Sequence, residues 1–501
     1  MSALDVGVLA TYGAALLLIG VKSARGHQRE SEFTLGGRNL PTWAVLCSMT
    51  ATELSAATFI GVPHAAYTGD WSYLQLALGA LLAKVVLAQH VIPLYYRLRI
   101  VTVYGFLSER FGRQPQRVAA LCFVGGRLLA SGARLFIAGL ALSAVSDVPI
   151  AWAIVACGLV AGLYTFAGGI RAVIWTDTLQ AALLLLGAFA ALIVLSQAAP
   201  DGLWGVLEWA SPAGRTQVWH LDPLFSLTDG RGLGTALIGA FFLTLATHST
   251  DHDMVQRLLT TRNALGGGRA LLGSALLNFP ITLLFLLIGT GLAHFYTSPP
   301  SYSIEDHARI LPLFALHELP AGIRGLLFSG LFAAAMSSLD SAICALATTW
   351  THDIRPIVRG DSNSLRRMKR VSVILTIALI AVSLAMANYH ALLVEQESAP
   401  NLVEFALASM TILYGGLLGI FALGIGTQGR GSPASVTIGL VAGSATGLAL
   451  FLHPLIAGQT WIAWPWWIPI SSSLTLAVAA SRPSSQLFAW PKPDYSSVNS
   501  G

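Results

Sequence analysis

Of 501 residues, 54% are hydrophobic and only 11% charged, against roughly 25% charged in ordinary soluble domains; this excludes a water-soluble globule and points to a bilayer. The net charge of +5 is spread over short loops between apolar runs, which excludes a nucleic-acid-binding patch. Cys47, Cys122, Cys157 and Cys344 sit in apolar segments without paired spacing, so neither a disulfide framework nor a zinc site is expected.

A membrane-crossing helix takes about 20 apolar residues. Hydropathy and its breakers predict about thirteen such spans, near residues 3–22, 43–66, 71–97, 117–146, 150–169, 172–197, 231–249, 268–296, 322–350, 370–390, 401–425, 433–454 and 461–480. The first is followed rather than preceded by basic residues, Lys22 and Arg25, and reads as a retained helix rather than a cleaved signal. Ser48, Thr50, Thr52, Glu53, Ser55, Thr58, Gly61 and Pro63 interrupt the second. The third carries Lys84 at its middle, where a structural ion pair and snorkelling compete. In the fourth, Arg127, Ser131 and Arg134 form one stripe, either an arginine fork for a carboxylate or phosphate or an internal brace paired with Glu53, Asp177 or backbone carbonyls. Asp177 lies in the sixth, with the same ambiguity as Lys84. The seventh carries Gly234, Gly239, Thr244, Thr247 and His248 and runs into a polar stretch. His64, His248 and His252 show no metal-ligand spacing and read as hydrogen-bonded helix-end residues.

The ninth span is the richest. Ser337, Ser338, Asp340 and Ser341 fall within five residues, and a hard cation such as sodium needs several oxygens of this kind, joined by carbonyls freed where a neighbouring helix unwinds. Back-bonding of each serine to the preceding turn is the alternative. An ionisable group at bilayer depth costs at least about 2.5–3.5 kcal/mol, which makes Glu53, Lys84, Arg127, Asp177 and Asp340 functional candidates.

Lys and Arg cluster in alternate loops, after the first, third, fifth, seventh and ninth spans, Arg257, Arg262 and Arg269 among them. The positive-inside rule then places the N-terminus outside and the C-terminus in the cytoplasm. The interrupted second and seventh spans lie five apart, the pointer to an inverted-repeat transporter with its site at the midplane. Gly266-Gly267-Gly268-Arg269 lacks phosphate-loop spacing, so a nucleotide-driven pump is excluded and the energy source is an ion gradient.

Four blocks resemble the sodium/solute symporters, the family of sodium/glucose, sodium/proline and sodium/sialic acid transporters. They are Thr52-Glu53-Leu54-Ser55-Ala56-Ala57-Thr58-Phe59-Ile60-Gly61-Val62-Pro63; Gly168-Gly169-Ile170-Arg171 through Trp175-Thr176-Asp177-Thr178-Leu179-Gln180; Thr250-Asp251-His252-Asp253-Met254-Val255-Gln256-Arg257; and Gly330-Leu331-Phe332-Ala333-Ala334-Ala335-Met336-Ser337-Ser338-Leu339-Asp340-Ser341. The third of these resembles the family's cytoplasmic loop after the sixth core helix.

The resemblance implies an all-α integral membrane protein with a five-plus-five inverted-repeat core of leucine-transporter type, one helix before it and two after. One transmembrane domain would fill residues 1–501, with repeats at 43–197 and 231–425 and peripheral helices at 433–480. It also implies a sodium site made by the carbonyls of Ala51, Leu54 and Ala334 and the hydroxyls of Ser337 and Ser338. A second cation would sit among Asp177, Ser337, Asp340 and Ser341. Asp340 stands where sialic acid transporters show Ser, which leaves a second sodium and a proton both open, and Glu53 resembles the acid of proline symporters. The solute contacts implied are Ser55, Thr58, Gln75, Arg127, Thr244 and Asn278. The expected activity is sodium-coupled symport of a small polar solute, a sugar, acidic sugar, amino acid or carboxylate, by alternating access. The partners are one or two Na+ ions, the solute and the lipid of a cell membrane, with no nucleic acid, no enzymatic activity, and monomer or oligomer open. A proton-coupled symporter, a transporter-like sensor and a passive channel are the rivals.

Overall fold

The computed structural model describes residues 2–24, 30–54, 56–146, 148–298, 309–356, 364–395 and 402–484. Among them the backbone is helical, with two isolated bridges, Leu40 with Thr261 and Arg430 with Pro483. A bilayer offers backbone groups no water, so a spanning segment must close its hydrogen bonds within itself. In chain order the helices are α1 (Ala3–Ala24), α2 (Glu30–Leu35), α3 (Thr42–Glu53), α4 (Ala56–Thr68), α5 (Leu74–Val86), α6 (Ile92–Arg97) and α7 (Tyr104–Phe111). Then come α8 (Arg113–Ser146), α9 (Ile150–Ala198), α10 (Gly202–Ala210), α11 (Leu233–Thr250), α12 (His252–Leu258) and α13 (Ala264–Phe295). The last are α14 (Ile310–His317), α15 (Ile323–Thr349), α16 (Ser364–Glu395), α17 (Leu402–Gly426), α18 (Pro433–Ala457) and α19 (Trp467–Ala480).

Nine described helices are long and apolar enough to cross a membrane, ten when α3 and α4, bent by 53°, are taken together. That is fewer than the thirteen predicted spans. Ile150–Leu163, Thr411–Gly426 and the 14-residue α19 fall short of the apolar length a crossing needs, so length and composition alone leave them uncounted. The predicted fifth and sixth spans form one 49-residue run, α9, turned at Gly169, whose φ of 57° and ψ of −161° belong to a region reserved for glycine. A Cβ there would lie 2.6 Å from the Phe33 ring.

α15 sits at the centre, buried along almost its whole length, and its main neighbour is α9. Gly187 and Gly330 permit that approach: a Cβ on either would come within 3.0–3.1 Å of the other helix's backbone, the small-residue packing typical of membrane helices. α1 is pinned to the start of α15 by Asp5, whose Oδ1 accepts the N–H groups of Gly322 (2.8 Å) and Gly325 (3.0 Å). Leu163, Leu186, Phe189 and Ile193 on α9 and Ile374 and Ile377 on α16 face outward, as lipid requires.

The helical path breaks at two central places. One is Leu54 (φ −84°, ψ 71°), between α3 and α4. The other is Asp251 (φ −85°, ψ 114°), between α11 and α12. The second differs from the expected interruption within 231–249. α11 runs unbroken through Thr250 because Gly234 and Gly239 serve close packing, against Phe225 and Pro465, and the break comes at Asp251, whose carboxylate caps α12 by accepting the Asp253 N–H. The stretch Thr250–Arg257, expected as a cytoplasmic loop, is buried instead. Asp251, Asp253 and Arg257 are all 0% exposed, because each charge has a partner inside the bundle.

Candidate functional site

The break at Leu54 faces the middle of α15. There Ser337 Oγ lies 3.0 Å from the Ala51 carbonyl oxygen and 3.2 Å from that of Ala334. Ser338 Oγ lies 3.4 Å from the Thr52 carbonyl oxygen, and both serines are fully buried. Leu54 itself donates its N–H to the Thr50 carbonyl at 3.0 Å and ends α3 beside a cavity. The outcome is a dry group of neutral oxygens from two helices, one at its point of unwinding. Neutral hydroxyls and carbonyls in this arrangement suit a hard monovalent cation.

Next to it lies a buried ionic network. Asp177 Oδ2 accepts from Ser48 Oγ at 2.5 Å and from Arg257 at 3.2 Å, while its Oδ1 meets no donor among the described residues. Arg257 also donates to Asp253 Oδ1 at 2.5 Å, to Ser48 Oγ at 3.0 Å and to the Ser337 carbonyl at 3.3 Å. Arg127 bonds Asp251 at 2.8 Å and also Asp253, and Tyr414 donates to Asp251 at 2.5 Å. Asp340 Oδ1 accepts the Ser341 N–H at 2.5 Å, Thr176 Oγ1 lies 3.5 Å from its Oδ2, and Ser341 Oγ donates to the Ser337 carbonyl at 3.0 Å. Within this local group, among the described residues, four buried carboxylates, Asp177, Asp251, Asp253 and Asp340, face three buried guanidiniums, Arg127, Arg134 and Arg257. With all ionised, one negative charge is in excess.

On the other side of the Leu54 break a cavity of about 150 Å³ opens between α3, α4, α5, α11 and α13. Its polar wall is Glu53, which accepts from Lys84 Nζ at 2.6 and 2.7 Å, from His248 Nε2 at 3.0 Å, from Ser274 Oγ at 3.2 Å and from Asn278. Lys84 Nζ donates further to Ser274 Oγ at 3.0 Å. Leu76, Ala77, Ala80, Ala240 and Leu243 form the apolar walls.

Thr58, Thr244 and Asn278, three of the solute candidates, line this cavity. Ser55 lies outside the described residues. Arg127 is placed elsewhere, because a fully buried guanidinium needs carboxylates and finds them in Asp251 and Asp253. Gln75 is also elsewhere. Its amide donates to the Arg231 carbonyl at 2.9 Å and to that of Ser72 at 3.2 Å, bracing the segment before α11. Sequence reasoning missed Arg257, Asp251 and Asp253 as interior charges and His248 and Ser274 as partners of Glu53. The available signal was an Asp-x-Asp-x-x-x-Arg spacing directly after an apolar run, which hid in the expected loop.

The family model for the Sodium:solute symporter family matches residues 33–429. The chain is 29% identical over 443 residues to the sodium/sialic acid symporter NanT of Aliivibrio fischeri, covering 87% of this chain and 86% of that protein. It is 31% identical to the sodium/sialic acid symporter SiaT of Proteus mirabilis, covering 87% of each. With sodium-coupled monocarboxylate transporter 1 of Mus musculus it shares 28% identity, over 87% of this chain and 71% of that one. Among solved structures, a substrate-bound, outward-open Na+-coupled sialic acid symporter described as revealing a novel Na+ site superposes with a TM-score of 0.83 at 25% identity, covering 96% of this chain and 97% of that one. Mhp1, a nucleobase-cation-symport-1 transporter, shares the fold alone, with a TM-score of 0.55 at 13% identity over 90% of this chain and 94% of that one.

Proposed function

The chain belongs to the sodium:solute symporter family, and from that premise we propose that it carries a small polar solute across a cell membrane with sodium by alternating access. The observation that carries the reading is the oxygen group around Ser337. It adjoins the solute-sized cavity through one short segment, Glu53–Leu54, at the break between α3 and α4. Sodium held by the carbonyls of Ala51, Leu54 and Ala334 and the hydroxyls of Ser337 and Ser338 would fix that break, and the break shapes the cavity. Each ligand then favours the conformation the other needs, and the coupling is reciprocal.

The core is read as the five-plus-five inverted repeat, at 43–197 and 231–425, with residues 433–480 peripheral. Its two central breaks, at Leu54 and Asp251, support this. The excess negative charge of that group and an Asp177 Oδ1 that meets no donor among the described residues support a second cation among Asp177, Ser337, Asp340 and Ser341, a sodium or a proton on Asp340. We read the solute as a sugar, acidic sugar, amino acid or carboxylate, and the sialic acid and monocarboxylates named for the relatives support the acidic members of that set. The membrane orientation, N-terminus outside and C-terminus in the cytoplasm, follows the loop charges.

The test is uptake of labelled candidate solutes into proteoliposomes under an inward sodium gradient, with choline as the replacement ion and no proton gradient. Accumulation above equilibrium that requires sodium is expected. Equal uptake in choline, or equilibration without accumulation, would overturn symport and favour a proton-coupled carrier or a channel.

A further inference from the structure

We propose that a groove at the start of α13 is a binding site for the headgroup of an anionic glycerophospholipid, with the lipid phosphate held by Arg262 and Arg269. The groove encloses about 540 Å³ between residues 39–42, which lead into α3, and residues 262–269, which open α13. Among the described residues lining it, these two arginines are the only charged ones. Both are exposed, and neither has a carboxylate partner among the described residues.

The groove is held in shape by its own backbone. The Leu40 N–H donates to the Thr260 carbonyl at 3.1 Å, clasping the two segments together. Arg262 Nε donates to Asn39 Oδ1 at 2.7 Å, which fixes the guanidinium at the rim and leaves its Nη groups for a ligand. Gly266 lets the two helix starts meet, since a Cβ there would lie 3.0 Å from Thr42 Oγ1. The glycine run that lacks phosphate-loop spacing thus has a packing role at this end. The helix start adds little to anion binding, because Asn263 Oδ1 already takes the Gly266 N–H at 2.9 Å. The arginines carry the site.

The position of Arg269 makes the ligand a lipid rather than a free anion. Leu265, Arg269, Leu272, Leu276 and Phe279 recur at steps of four and three, which is one face of α13. Leu265, Leu276 and Phe279 are exposed along with Arg269, so in a membrane that face meets acyl chains. The next ionisable residue along the helix is His294, which sets Arg269 at the edge of the hydrocarbon. At 1.5 Å per residue it lies about 8 Å inside the helix start, roughly the thickness of a headgroup layer. Trp43, exposed beside Thr42, is the aromatic expected at the same level. Guanidiniums bind phosphate oxygens bidentately, and the groove has room for a phosphodiester with a glycerol on each side, about fifteen heavy atoms. The acyl chains then run down the Leu272, Leu276 and Phe279 stripe. The loop charges mark this end as cytoplasmic, the side on which anionic lipids attract basic residues.

The probes are phosphatidylglycerol and phosphatidylcholine with identical acyl chains, added to the purified full chain in neutral detergent without solute, so that the outcome does not depend on the transport reading. Bound lipid is counted by native mass spectrometry. Phosphatidylglycerol is expected to bind at least about tenfold more tightly than phosphatidylcholine, the scale of one charge-assisted hydrogen bond. Arg262→Gln combined with Arg269→Gln should remove that preference. Arg113→Gln combined with Arg117→Gln, an equal loss of charge at exposed positions outside the groove, should leave it intact. Equal affinity for the two lipids, an unchanged preference in the groove variant, or an equal loss in the control variant overturns the assignment. Displacement of phosphatidylglycerol by an equal concentration of inorganic phosphate overturns the lipid as ligand. Should the double groove variant fail to fold, Arg269→Gln alone, which keeps the bond between Arg262 and Asn39, decides by the same comparison.

Discussion

Arg127 and Arg257 show how a single side chain sets the local architecture. Each is 0% exposed, and between them they engage Asp251, Asp253 and Asp177. Removing one member of such a network leaves the others charged and dry, which costs about 3–5 kcal/mol. Arg127→Ala is therefore expected to lower the unfolding temperature in detergent sharply, and Asp253→Asn in the same background should recover part of the loss by removing one orphaned charge. A small shift for Arg127→Ala would show that water reaches these carboxylates. At this scale the sequence reading picked Ser337, Ser338, Glu53 and Asp177 from polarity at bilayer depth, and all four lie at or beside the central break of α3. It could not pair them. Lys84 and Glu53 lie 31 positions apart, and His248 and Glu53 lie 195 apart, so no helical spacing connects them.

Elements meet function at three backbone departures, Leu54, Gly169 and Asp251. Gly169 lets α9 turn so that Asp177, two turns further on, reaches Ser48 and Arg257. Gly169→Ala would hold a side chain at φ 57° against Phe33, strain of about 1–3 kcal/mol. It should reduce thermal stability by several degrees and reduce sodium-dependent uptake, with no change in the composition of the cavity wall. Unaltered stability would mean that α9 can straighten there. The interrupted second span was legible because Ser, Thr and Glu are dense within it. The second break was displaced from its expected position because glycine at 234 and 239 marks close packing as readily as it marks unwinding, and only the contacts with Phe225 and Pro465 distinguish the two.

For the whole molecule, α15 carries its serines between the unwound end of α3 and the kinked α9, with α1 fastened to its start through Asp5. The all-helical, bilayer-embedded class follows from apolar content alone. The number of crossings does not, because short segments such as α19 cross or stop short according to neighbours that hydropathy does not register. What unites these parts is the claim that the Ser337 oxygen group binds sodium and that the adjoining cavity responds. Equilibrium binding of radiolabelled sodium to the purified wild type and to Ser337→Ala measures this most directly. Saturable binding in the wild type, weakened at least about tenfold by Ser337→Ala, is the predicted result; equal sodium affinity in the two proteins would contradict it.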